Sequence, residues 1–124
     1  MAFTTATTPV ALAGTLVTIS KCAVTPEDNV SADSSGKLYQ VKVDNSLNTN
    51  QVAYVKIADS ANATSGSTTP EIVLAIPGGQ TVNYIWEIGF PYAAGLSVWC
   101  TALPNSADVS ELGYSVSVTL LAST

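Results

Sequence analysis

The sequence predicts an all-β fold: a single antiparallel β-sandwich or jelly-roll-like domain of about seven to eight strands, with an extended N-terminal arm. Three observations carry this expectation. Apolar residues recur with a period of two along most of the chain. The breaks between these runs carry Gly, Pro, Asn and Ser turn chemistry. No window has the spacing of an amphipathic helix. A chain of 124 residues is one domain long and can bury a sizeable core. No internal repeat or second domain is visible, so the expected division is residues 1–9 as arm and 10–124 as sandwich.

Taken in order, the opening Phe3-Thr4-Thr5-Ala6-Thr7-Thr8-Pro9 is β-prone, uncharged and too polar to make its own core. It fits an arm that pairs with a sheet edge on a neighbouring chain. Val10 to Ser20 reads as a strand, bulged at Gly14. Glu27 to Asp33 and Ser106 to Leu112 each have room for one short turn. Tyr39, Val41 and Val43 share one strand face, opposite Gln40, Lys42 and Asp44. Ala53, Val55 and Ile57 oppose Val52, Tyr54 and Lys56. Asp59 to Thr69 is a Ser/Thr/Asn/Gly-rich loop. Ile72, Leu74 and Ile76 alternate with Glu71, Val73 and Ala75, and Pro77-Gly78-Gly79 then reads as a hairpin turn. Val82, Tyr84, Trp86 and Ile88 oppose Asn83, Ile85 and Glu87, and Phe90-Pro91-Tyr92 falls between strands. Leu96, Val98 and Cys100 alternate with Ser97, Trp99 and Thr101. The clearest run is the last, Tyr114, Val116, Val118 and Leu120 against Ser115, Ser117 and Thr119.

Composition excludes whole classes of function. Hydrophobic residues make up 47% of the chain and charged residues 10%, against about 25% charged in an average soluble protein. There is no His, which removes Ser-His-Asp and Cys-His catalysis, His-containing zinc sites and a histidine pH switch. The four cations are all Lys, so no guanidinium can grip phosphate or carboxylate bidentately. A net charge of -5 argues against nucleic acid as a partner. No apolar run reaches the roughly 18 residues of a membrane span. The first Lys is Lys21, behind the apolar run Val10 to Ile19, so that run reads as a strand and not a secretory leader. Synthesis in a cytoplasm follows, and there Cys22 and Cys100 are expected as two buried thiols. A disulfide between them is the alternative and would close most of the chain into a loop. The sequons at Asn29 and Asn62 fall in loop-like segments and read as chance matches.

The search for chemistry yields little. Glu71 and Glu87 are the carboxylates a glycoside hydrolase would need, yet on polar strand faces they read as solvated charges. Asp28, Asp33 and Asp59 lack calcium-loop spacing. Lys21, Lys37, Lys42 and Lys56 form no basic patch. No catalytic residue, metal site or cofactor is predicted, and the chain is not expected to be an enzyme. Tyr84, Trp86, Phe90, Tyr92 and Trp99 are the more informative group. They read first as core filling, then as interface anchors, then as sugar-stacking rings. With so few charges, the outward strand faces are covered by Ser, Thr, Ala, Asn and Gln, a surface suited to burial against neighbours. Phe3, Phe90 and Tyr92 are the predicted protein-contact residues.

The segment Thr69-Pro70-Glu71-Ile72-Val73-Leu74-Ala75-Ile76-Pro77-Gly78-Gly79, then Gly89-Phe90, then Ala94-Gly95-Leu96-Ser97-Val98, resembles small β-rich virion proteins of tailed bacteriophages. The closing Tyr114-Ser115-Val116-Ser117-Val118 strand is similar too. The likeness spans roughly residues 38 to 121, and the first 37 residues contribute nothing to it. It implies a capsid decoration or cement protein on the outer surface of the head. Such a protein binds and stabilises the lattice of the major capsid protein, often as a homo-oligomer and commonly a trimer. A neck, tail or fibre component is the alternative within the virion. Outside it, the alternatives are a carbohydrate-binding β-sandwich module using Trp86 and Trp99, and a pilin-like or surface-layer subunit.

Overall fold

The structure is a computed structural model that describes residues 3–7, 15–25, 27–32 and 35–123, with residues 3–7, 31 and 32 as backbone only. Among the described residues nine strands run in chain order: β1 (Phe3–Thr7), β2 (Thr15–Cys22), β3 (Asp28–Ala32), β4 (Gly36–Asp44), β5 (Ala53–Asp59), β6 (Ile72–Ile76), β7 (Thr81–Tyr92), β8 (Gly95–Thr101) and β9 (Val116–Ala122). They form two antiparallel sheets, one of five strands in the order β1-β2-β9-β4-β7 and one of four in the order β3-β8-β5-β6. This is the predicted β-sandwich.

Alternation places the core. Val17 and Ile19 of β2, Val41 and Val43 of β4, and Val118 and Leu120 of β9 point inward from the larger sheet. Val55 and Ile57 of β5 with Leu96 and Val98 of β8 meet them from the smaller one, and all ten are buried. β8 departs from simple alternation, because all seven of its residues are buried. Its inner face meets the core and its outer face lies under loops.

Several local expectations change. Residues 3–7 of the expected arm form β1, which pairs along β2 of the same chain from Phe3↔Ile19 to Thr7↔Thr15. The bulge expected at Gly14 and the carboxylate of Asp33 lie outside the described residues. The segment from Glu27, expected as a turn, contains β3, whose edge position asks for only a short apolar pattern. Asn29 therefore sits in a strand, not in a loop. Pro77-Gly78-Gly79 is a tight turn but not a hairpin, since β6 pairs with β5 and β7 with β4, on opposite sheets. A β-carbon on Gly78 would sit 2.8 Å from the backbone of Thr49 and Gln51, so this crossover needs glycine.

β7 is longer than its apolar pattern suggests and takes in Phe90-Pro91-Tyr92. Its pairing with β4 shifts between Leu38↔Phe90 and Gln40↔Ile85. The five-residue step on β7 against two on β4 leaves Trp86 to Gly89 as an excursion on the sheet's edge. Gly89 has φ 89°, a left-handed backbone, and its missing side chain leaves room for Lys37 and Tyr39. The excursion turns Ile88 outward, where it is 84% exposed, against its predicted inward place.

Candidate interaction surfaces

Strand polarity and loop cover give the two outer faces different characters. The outer face of the four-stranded sheet is covered by the chain itself over β8 and the adjoining part of β5, while Val73 and Ala75 of β6 stay exposed. Trp99 lies there fully buried with Ala58 and Ala63. Its cross-strand partner Lys56 is buried too, and its Nζ donates to the Asn105 carbonyl at 2.5 Å. Burial pushes the Lys56 amine below its usual range, with Asp108 opposing that shift. Ser97 Oγ donates to Asn29 Oδ1 at 2.6 Å and to the Ser60 carbonyl at 2.8 Å. Thr101 Oγ1 donates to the Leu103 carbonyl. Loops from both ends of this sheet are thus tied down over it.

The outer face of the five-stranded sheet is open. Leu16, Thr18 and Ser20 point out from β2, and Ser117, Thr119 and Leu121 from β9. None of these six is charged or buried. Beside them stand Gln40 and Lys42 on β4, then Asn83 and Ile85 on β7. The register places Leu16, Leu121, Gln40 and Ile85 in one row across four strands, and Thr18, Thr119, Lys42 and Asn83 in the next. Ile85 is 68% exposed at the end of its row.

Tyr92 is a core residue, buried at the end of β7, and its hydroxyl donates to the Ser123 carbonyl at 2.5 Å. Phe90 is half-buried and packs against the core. The Phe3 side chain lies outside the described residues, while its backbone belongs to β1. The apolar side chains that do face outward include Ile85, Ile88 and Tyr114. Strict alternation had put Ile88 and Tyr114 inside. The Gly89 interruption and the Gly113 that precedes Tyr114 were the available signals of a break.

Two of the carboxylates tie down backbone and a third is buried. Asp59 accepts the backbone N–H groups of Ala93, Ala94 and Gly95 at 2.8–3.3 Å, which holds it below the usual carboxylate range. Glu71 accepts from the Asp59 N–H at 2.7 Å. Asp28 is buried with Oδ2 unpartnered, and burial raises its carboxyl to about 6. Among the described residues no group of three or more His, Cys, Asp or Glu gathers as a metal site.

The cysteines are not free thiols. Cys22 and Cys100 form a disulfide, with Cα atoms 5.6 Å apart, joining β2 to β8. The Cys100 N–H also donates to the Ala23 carbonyl at 3.1 Å, so the chain leaving β2 is stitched to the other sheet at this point. Beside the disulfide opens a cleft of about 370 Å³, bounded by Lys21 to Thr25 on one side and Glu111 to Ser115 on the other.

Comparison with models of protein families, with curated proteins and with solved structures finds no match for this chain.

Proposed function

We propose that this chain is a non-enzymatic structural subunit acting through protein–protein contact, a decoration or cement protein that binds the major capsid protein lattice of a tailed phage. One observation supports contact as its mode of action. The five-stranded sheet keeps an open outer face on which Leu16, Thr18, Ser20, Ser117, Thr119 and Leu121 are uncharged, with Lys21 exposed at the β2 bulge, while in the other sheet loops cover β8 and the Lys56–Ala58 part of β5. A sheet face with few charges suits burial against a neighbour. The virion assignment rests on the resemblance of the strand and turn segments between residues 38 and 121. Trp99 is fully buried and has no face to offer a sugar, which weighs against a stacking platform built from Trp86 and Trp99.

In this reading, repeated interfaces of about 1,200 Å² or more clamp adjacent coat subunits, and symmetry multiplies their effect. The test is light scattering coupled to size-exclusion chromatography, before and after mixing with capsids stripped of this protein. A discrete oligomer, with a trimer favoured, that rebinds and raises the particles' heat resistance supports the reading. A monomer that ignores capsids refutes it.

A further inference from the structure

We propose that Tyr114 is the stacking platform of a saccharide-binding site at the end of the sandwich where β2 leaves and β9 begins. The inference is independent of the capsid reading. Tyr114 is 67% exposed, yet its backbone is fixed on both sides by one side chain. Its N–H donates to Asn48 Oδ1 at 2.8 Å, and its carbonyl accepts from Asn48 Nδ2 at 3.1 Å. Asn48 is itself buried and donates to Asn45 Oδ1 at 2.9 Å, and Asn45 is fully buried. The neighbouring Gly113 N–H donates to Gln51 Oε1 at 3.0 Å. A solvent-facing ring is therefore carried on an anchored base, so little backbone ordering remains to be done when a ligand binds.

Tyr114 lines two hollows. The first is the cleft of about 370 Å³ beside the disulfide, where Lys21, Thr25, Glu111 and Ser115 supply polar groups. Its size falls at the low end of the roughly 300–1,000 Å³ typical of small-molecule sites. The second, of about 230 Å³, is lined by Asn48 to Gln51 together with Gly113 and Tyr114. The lining chemistry selects the ligand class. An apolar ligand would leave Lys21 and Glu111 of the first hollow and the Asn50 amide of the second without a partner from the ligand. A simple anion would meet Glu111 as well as Lys21. A neutral polyol satisfies the whole set: its C–H face lies on the aromatic ring, and its hydroxyls donate and accept at amides, hydroxyls, ammonium and carboxylate. Two hollows that share Gly113 and Tyr114 suit two linked sugar units.

Saturation-transfer NMR on the intact, oxidised chain tests this, using methyl glycosides of glucose, galactose, mannose and N-acetylglucosamine and their disaccharides as probes. At least one disaccharide should bind at millimolar concentration or below. Tyr114→Ala should weaken it about tenfold or more, and Tyr114→Phe should stay within about threefold of wild type, since stacking does not need the hydroxyl. Glu111→Gln provides a second variant away from the Asn48 anchor and should also lower affinity. Absence of binding by the whole panel overturns the proposal, as does binding that Tyr114→Ala leaves unchanged. Loss of capsid binding in Tyr114→Ala without any saccharide binding would make the ring a protein contact instead, and also overturns it.

Discussion

Cys22 and Cys100 stand 78 residues apart in the chain, and their disulfide ties the end of β2 in one sheet to β8 in the other. A link of this span removes much of the unfolded chain's freedom. In the loop-entropy account a closed loop of this length contributes about 4 kcal/mol. Reduction, or the pair Cys22→Ala and Cys100→Ala, should lower unfolding stability by about that amount. Urea titration with and without reductant measures it. A loss of less than about 1 kcal/mol would mean that packing between the sheets already supplies the constraint.

Asp28 gives the fold a pH dependence of known sign. Its carboxyl is held at about 6 by burial, above its ordinary 3.8. The native state therefore binds its proton more tightly than the unfolded chain. The contribution is fully present below pH 4 and is lost as pH rises toward 6 and beyond. The two values set an upper limit of about 3 kcal/mol between the extremes, reduced by whatever solvent screens the carboxyl. Asp28→Asn cannot titrate. The stability difference between variant and wild type should therefore shift in the variant's favour, by no more than that amount, between pH 4 and pH 7. Denaturant melts at both pH values decide it, and a difference that does not move with pH would show the carboxyl to be solvated.

Asn45 is the polar hub of the turns at one end of the sandwich. Its Nδ2 donates to the carbonyls of Gln51 at 2.9 Å and Ile76 at 3.1 Å, and its Oδ1 accepts from Asn48. Its own carbonyl accepts the N–H groups of Asn48 and Gly79, both at 3.2 Å. Asn45→Ala removes the side-chain bonds and leaves buried partners unpaired, at a cost of about 3 kcal/mol. Asn45→Asp is nearly the same shape but faces carbonyls with oxygens where it needs donors. At neutral pH it should cost at least as much as the alanine variant. Thermal melts of the two rank them, and an aspartate variant close to wild type would contradict the donor role.

The sandwich was legible in the sequence because period-two alternation depends only on which face meets the core. Tyr39-Val41-Val43, Ala53-Val55-Ile57 and Val116-Val118-Leu120 carry that pattern, and their Val, Ile, Leu and Ala members are buried as expected. Connectivity was not legible. A Pro-Gly-Gly turn serves equally for a hairpin or for a crossing between sheets, and only the distant partners β4 and β5 decide which. Lys56 alternates as a surface residue, but the loop that carries Asn105 closes over it. Tyr92 follows a proline and looks like a loop aromatic, yet β4 pairing draws it into the core. Cys22 and Cys100 gave no sign of their proximity, since it comes from two strands in different sheets. The outward placement of Ile88 and Tyr114 was not legible for the same reason: it depends on breaks in alternation, which arise from long-range register.

Ile85 offers the most direct test of the open sheet face. It is 68% exposed at the end of a row that continues through Gln40 and Leu121 to Leu16. A residue so exposed contributes little to the fold, so Ile85→Lys should change unfolding stability by no more than about 0.5 kcal/mol. Contact across this face is a different matter, because the new ammonium would have to be desolvated without a partner. A second charge can be placed in the middle of the same row with Leu121→Lys, whose half-buried position makes it the less neutral change for folding. If the face is the working surface, Ile85→Lys should cost about tenfold or more in affinity for stripped capsids, or should shift the oligomer to a smaller species. Lys42→Ala, which removes a cation from the adjacent row, should leave binding intact or tighten it. Sedimentation and capsid rebinding, run on the three variants beside wild type, measure both effects. Unchanged assembly and unchanged rebinding in Ile85→Lys and Leu121→Lys would remove this face from the proposed mechanism and leave the β7 excursion around Ile88 as the next surface to charge.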